Sequence, residues 1–223
     1  MQGNFDGLRL VQNHLDNSAC NDDRGGWLVA QLLRRQGHPV FPDLDDMVTR
    51  TVLLMENEFD PAIDDSATRY FILLKGTLRP SVTPQQWFDF ILSVQVSRDK
   101  PGNPDDFDVP CAVTPRRCID DNDACAGDPS NPDDNGYILH LYGTCFDTWL
   151  ESGVEQAIRI DWGEVLALAV TLNENSDPST PMLPPFEEIT VNTVRIGMEM
   201  KPGEPRERST ELLIKDFTIY SKN

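Results

Sequence analysis

The residues best equipped for chemistry are oxygen donors crowded into one stretch. Asp120, Asp121, Asn122 and Asp123 are consecutive, Asp128 follows, and Asp133, Asp134 and Asn135 come soon after. Ca²⁺ takes about six to eight oxygen ligands, and several carboxylates and amides in one loop could supply them. No Glu stands where an EF-hand loop beginning at Asp120 or Asp121 would need its closing ligand. A solvated acidic loop accounts for the same residues, and both readings stay open. Asp22-Asp23 and Asp64-Asp65 are weaker candidates of the same kind.

Cysteine supplies the second kind of chemistry. Cys111, Cys118, Cys125 and Cys145 fall in an irregular stretch rich in Asp, Asn, Gly and Pro, while Cys20 lies far from them. Such cysteines read as disulfide staples ahead of free thiols or metal ligands. The six-residue gaps between Cys111, Cys118 and Cys125 do not suit zinc, and His14, His38 and His140 are far apart in sequence. The odd number of cysteines leaves one over, and Cys20 is the natural candidate.

Aromatic side chains supply the third. A sugar presents C–H faces that stack on an exposed ring beside hydrogen-bonding groups. Trp149 follows Cys145-Phe146-Asp147 outside any clean strand pattern and is the best candidate platform, with Tyr142 second. Trp87 and Trp162 sit at the ends of apolar runs and are expected in the core or at its rim. Motifs for catalysis are missing: there is no GxSxG, HExxH, P-loop or GxGxxG. Acidic pairs are too numerous to single out a glycosidase pair, so a polysaccharide-active enzyme is a minor alternative.

Net charge narrows the partners. The chain carries 37 acidic against 19 basic residues, a net charge of -18. Such a surface repels phosphate, which argues against nucleic acid and anionic membranes. No run approaches the roughly 20 apolar residues of a spanning helix, and the N-terminus shows no signal-peptide pattern.

These groups must be held by strands. Runs at 8–11, 27–35, 48–59, 69–78, 87–97, 136–145, 154–162, 163–173 and 190–200, and a final run ending the chain, are apolar with period-two character and bounded by turn residues. GEVLALAVTLN (163–173) would pass as a helix by composition, but its Val-rich tail and strand neighbours favour a strand. Between them, 98–135 has neither helix nor strand period and reads as a long Cys/Asp/Pro-rich loop insertion. The expectation is one domain over 1–223, all-β, built as a two-sheet antiparallel jelly-roll sandwich without a helix.

The C-terminal pair is the most regular part. Val194, Ile196, Met198 and Met200 alternate with polar residues, KPGEPRERS forms a turn, and TELLIKDFTIYSKN ends the chain. The two runs read as a hairpin. In the second, Leu212 and Ile214 share one parity while Phe217 and Ile219 share the other, which predicts a bulge or kink at Lys215-Asp216, or a strand buried on both faces. This order of strands, with its Leu212-to-Tyr220 finish, resembles the last strands of jelly-roll carbohydrate-binding modules and of galactose-binding-like or laminin-G-like sandwiches. IRIDWGEVLALAVTL adds to the likeness weakly. The resemblance covers the C-terminal third and implies a jelly-roll fold with a non-catalytic binding role. The functional expectation is an extracellular module that binds glycans, with Ca²⁺ as the candidate stabilising ion. The alternative is a structural protein of a virion or surface appendage that assembles with copies of itself or neighbouring subunits, at the virion surface.

Overall fold

Nearly all the predicted strand runs form strands in a computed structural model, which describes residues 8–13, 27–33, 41–57, 68–96, 111–116, 136–142, 145, 153–176, 182–200 and 209–222. They are β1 (Leu8–Asn13), β2 (Trp27–Leu33), β3 (Met47–Asn57), β4 (Thr68–Pro80), β5 (Phe88–Val96), β6 (Ala112–Arg116), β7 (Gly136–Tyr142), β8 (Glu155–Asp161), β9 (Phe186–Met200) and β10 (Ser209–Ser221). One sheet has the order β1-β10-β3-β8, the other β2-β9-β4-β5-β7-β6. Alternate residues of both sheets meet in one apolar cluster. Leu53, Ile158, Ile160, Leu212 and Ile214 come from the first sheet, and Ile72, Leu74, Phe90, Leu92, Leu139, Val194 and Ile196 from the second. That shared core makes the two sheets a sandwich.

Four expectations need correction. First, residues 163–173 are not a strand: Trp162–Glu174 is a helix, α1. Its start is fixed by Asp161, whose carboxylate accepts from the Glu164 N–H at 3.3 Å. Asp-x-x-Glu at 161–164 is the sequence form of a helix start, and it outweighs the Val-rich tail. Trp162, Val165, Leu166, Ala169 and Asn173 are buried at helical spacing, and the Trp162 indole N–H donates to Thr49 Oγ1 at 3.0 Å. Second, the last two strands are not a hairpin. β9 lies between β2 and β4, and β10 lies between β1 and β3 in the other sheet. Period two reveals which face of a strand is buried but not which strand is its neighbour. Third, the sandwich is not wholly antiparallel, because β5 and β7 pair in parallel. Fourth, the 98–135 stretch contains β6, which pairs with β7. It is only five residues long and contains Pro115, which fits an edge strand and masks its periodicity.

The expected irregularity in β10 is present. Ile214 pairs with Leu53 and Asp216 with Val52, so Lys215 is the extra residue of a bulge. The bulge changes parity and lets Leu212, Ile214 and Phe217 all be buried. Lys215 itself turns outward to an ion pair with Glu155 of β8. The chain end is tied down beyond β10 as well: the Lys222 N–H donates to the Asp46 carbonyl at 2.9 Å, and its ammonium meets Asp161 at 2.5 Å.

Candidate ligand-binding site at the β4–β5 turn

β4 and β5 are joined by residues 81–87, which begin Ser-Val-Thr-Pro and end on Trp87. The strands beside this turn set its side chains by simple alternation. Leu78, Phe88 and Phe90 point toward the core, so Thr77, Arg79, Trp87 and Asp89 face outward. Trp87 is 46% exposed, a large apolar surface left in water. The Arg79 guanidinium carbon lies 5.6 Å from the centre of its ring, within cation–π range.

Arg79 is in turn held by two carboxylates. Its Nη2 lies 3.0 Å from Glu188 and 3.5 Å from Glu187. Consecutive strand residues normally point to opposite faces. Here Arg79 pairs with Glu188 and Pro80 with Phe186, so Glu187 is an extra residue in β9. The bulge brings two adjacent carboxylates to one guanidinium. Thr190 Oγ1 donates to Glu188 Oε1 at 3.3 Å, while Arg79 Nε is buried without a hydrogen-bond partner. The Ser81 N–H donates to the Pro185 carbonyl at 2.9 Å, which ties the turn to the segment leading into β9. The result is an exposed indole against one guanidinium, with Glu187 and Glu188 on the far side of that guanidinium and Asp89 two residues further along the chain. Such a surface can stack on an apolar ring face and accept hydrogen bonds from hydroxyl or amino groups around it.

Trp87, expected in the core or at its rim, is thus the exposed aromatic among the described tryptophan side chains, and Trp162 is the buried one. The clue in the sequence was its place immediately after a Pro-containing turn and on the parity of Asp89 rather than Phe90. Trp149 and the acidic candidates Asp120, Asp121, Asn122, Asp123 and Asp128 lie outside the described residues, as does the side chain of Tyr142, the last residue of β7. Among the described residues no cluster of three or more His, Cys, Asp or Glu side chains has the arrangement of a metal site. Of the cysteine candidates, Cys111 and Cys145 form a disulfide, and Cys118 and Cys125 lie outside the described residues. The bond joins the residue before β6 to a residue just after β7, clamping the antiparallel edge pair.

A second polar pair sits on the same outer face. Ser93 Oγ and His140 Nδ1 are 2.5 Å apart on neighbouring strands in register. Ser93 is 4% exposed, and β5 is paired along both edges, with β4 and β7. A serine nucleophile needs hydrogen-bond donors, often backbone N–H groups, beside it to hold an oxyanion. The backbone of β5 is committed to its ladders there, so the pair is built to satisfy two polar groups within the Phe71, Leu73, Ile91 cluster of that face.

No protein-family profile matches the chain, and no curated protein matches it significantly. Among solved structures, it is similar to the xyloglucanase domain of NopAA, a type three effector from Sinorhizobium fredii, determined in complex with cellobiose. That match has 10% sequence identity, covers 99% of this chain and 98% of that one, and has a TM-score of 0.36.

Proposed function

We propose that this protein is a non-catalytic β-sandwich module that binds glycans, with Trp87 as the stacking platform. The observation that carries the reading is the 46% exposure of Trp87 together with its immobilisation by Arg79. Leaving about half of an indole in water forgoes roughly 1–1.5 kcal/mol of burial free energy, and holding it against a paired guanidinium prepares it for a ligand at little further entropic cost. Exposed carboxylates on the same face, Glu187 and Glu188 beyond Arg79 and Asp89, offer hydrogen-bond acceptors for hydroxyls of a longer glycan. We place the module in jelly-roll winding, supported by strands that alternate between the two sheets from β1 to β4 and from β7 to β10. The Cys111–Cys145 disulfide supports a location outside the cell, where such bonds persist. Screening the protein on an array of plant, fungal, bacterial and animal glycans tests the reading. Retention of at least one glycan class by the wild type, and its loss in Trp87→Ala, is expected. Absence of retention across the array would overturn it.

A further inference from the structure

We propose that Arg50 and Arg159 form a second binding site, on the outer face of the four-stranded sheet, that takes a tetrahedral oxyanion: sulfate or phosphate, free or as an ester on a glycan. The site lies on the opposite side of the sandwich from Trp87 and does not depend on that platform. The two arginines are directly opposite one another on β3 and β8. Leu53 of β3 and Ile158 and Ile160 of β8 point into the core, so Arg50 and Arg159, on the other parity of each strand, point outward. Arg50 is exposed, and the Arg159 side chain is 56% exposed. Residues so placed have Cβ atoms about 4.5–5.5 Å apart, and like charges there repel. In a chain with 37 acidic and 19 basic residues, two facing arginines break the local rule of alternating sign, and such breaks concentrate where function requires them.

The neighbouring charges leave the pair uncommitted. Arg50 meets no carboxylate among the described residues. Arg159 approaches Asp161 at 3.7 Å, but Asp161 already caps α1 and holds Lys222 at 2.5 Å. Asp216 is diagonal to Arg50, being in register with Val52, and Thr218 Oγ1 donates to its Oδ1 at 3.4 Å. Glu164 acts on Arg159 through charge alone, and Lys215 and Glu155 pair with each other. Arg50, Arg159 and Lys222 thus balance Asp161, Asp216 and Glu164, in a chain whose net charge is -18. Repulsion of an anion by the rest of the chain is screened over about 8 Å, whereas the guanidiniums touch it. Tyr220 completes the site. It is in register with Val48, two residues from Arg50 on the same face of β3, and its hydroxyl hydrogen-bonds the Arg159 guanidinium, which holds that group in place. A guanidinium presents parallel N–H donors that match two oxygens of a sulfate or phosphate, and two guanidiniums side by side can share one such group.

The test follows backbone amide and arginine Nε–H resonances of the ¹⁵N-labelled full chain while sulfate, and separately phosphate, replaces chloride at constant ionic strength. Saturable shifts at Arg50 and Arg159, with a Kd on the order of 1 mM, are expected. Arg50→Gln and Arg159→Gln should each weaken binding about 10-fold, and Lys215→Gln, on the same sheet, should leave it unchanged. A sulfated oligosaccharide and its desulfated counterpart identify the source. Tighter binding of the sulfated form than of inorganic sulfate, at the same two residues, assigns an ester; equal or weaker binding assigns the free ion. In chloride buffer Arg50→Gln should melt no lower than wild type, because it removes a repulsion. Shifts that grow without saturating, full affinity in both Gln variants, or a lowered Tm of Arg50→Gln in chloride, which would make Arg50 a structural residue, each overturn the proposal. None of these results bears on Trp87, so the glycan-binding reading stands or falls separately.

Discussion

Arg79 lies 5.6 Å from the ring centre of Trp87, and the two are neighbours across the end of the β4–β5 pair. The contact converts an exposed side chain into an oriented surface. Arg79 contributes orientation more than stability, because its ion pairs are about half exposed and such pairs are worth about 0–1 kcal/mol. Replacing Arg79 with Met should lower the unfolding free energy by less than about 1 kcal/mol. It should weaken glycan binding several-fold by freeing the indole. Denaturant melts and titrations of the same variant check both, and a large stability loss with unchanged binding would contradict the assignment.

Asp161 carries structural charge. It is 7% exposed, caps α1, and meets Lys222 at 2.5 Å and Arg159 at 3.7 Å. Burial pushes its carboxyl up, but the Lys222 and Glu164 hydrogen bonds and the charges of Lys222 and Arg159 outweigh burial and hold it below the usual carboxylate range. A depressed folded-state value means the stabilisation is present above the unfolded pKa of about 3.9 and is lost as pH falls through the folded value. Asp161→Ala should cost about 1–2 kcal/mol at neutral pH and flatten the acid limb of the stability profile. Asp161→Asn should keep most of the cap. Thermal melts from neutral pH down to strongly acidic pH read the difference.

How much of this was legible beforehand varies with the physics involved. The bulge at Lys215 could be read because parity breaks between Ile214 and Phe217 in a single run. The sandwich could be read because β4, β5 and β9 keep period two over long stretches. Helix α1 is missed because its Val-rich tail and strand neighbours outweigh the cap signal of Asp161 and Glu164. The pairing of β10 with β1 and β3 could not be read, since no local pattern encodes a partner so distant in sequence. Trp87 was passed over for Trp149 because its flanking apolar run suggested burial. Its exposure follows from which parity of β5 faces the core, together with the short turn beside it.

Cys111–Cys145 closes a loop with a sequence separation of 34, and a cross-link of that span constrains the unfolded chain by about 3–4 kcal/mol. Reducing it, or making Cys111→Ser, should lower Tm by about 5–10 °C. It should also raise hydrogen exchange first in β6 and β7. An unchanged Tm under reducing conditions would contradict this role.

Gly76 pairs with Val191 and Lys75 with Thr193, so Gly76 sits beside a second bulge of β9, at Asn192. A Cβ there would collide with the Thr190 carbonyl, which is backbone and cannot rotate away. Gly76→Ala should destabilise the fold by more than about 2 kcal/mol, read as a shift in denaturant midpoint, whereas Gly153→Ala should act only through the positive φ of Gly153. An Ala variant at position 76 as stable as wild type would show that the two strands can separate there.

The central claim is that Trp87 is the binding platform, and matched titrations of wild type, Trp87→Phe and Trp87→Ala against the glycan selected on the array test it most directly. Loss of about 2 kcal/mol or more in Trp87→Ala, roughly 30-fold in Kd, with partial retention in Trp87→Phe and unchanged melting curves, is the predicted result. Glycan affinity in Trp87→Ala equal to that of wild type would contradict it.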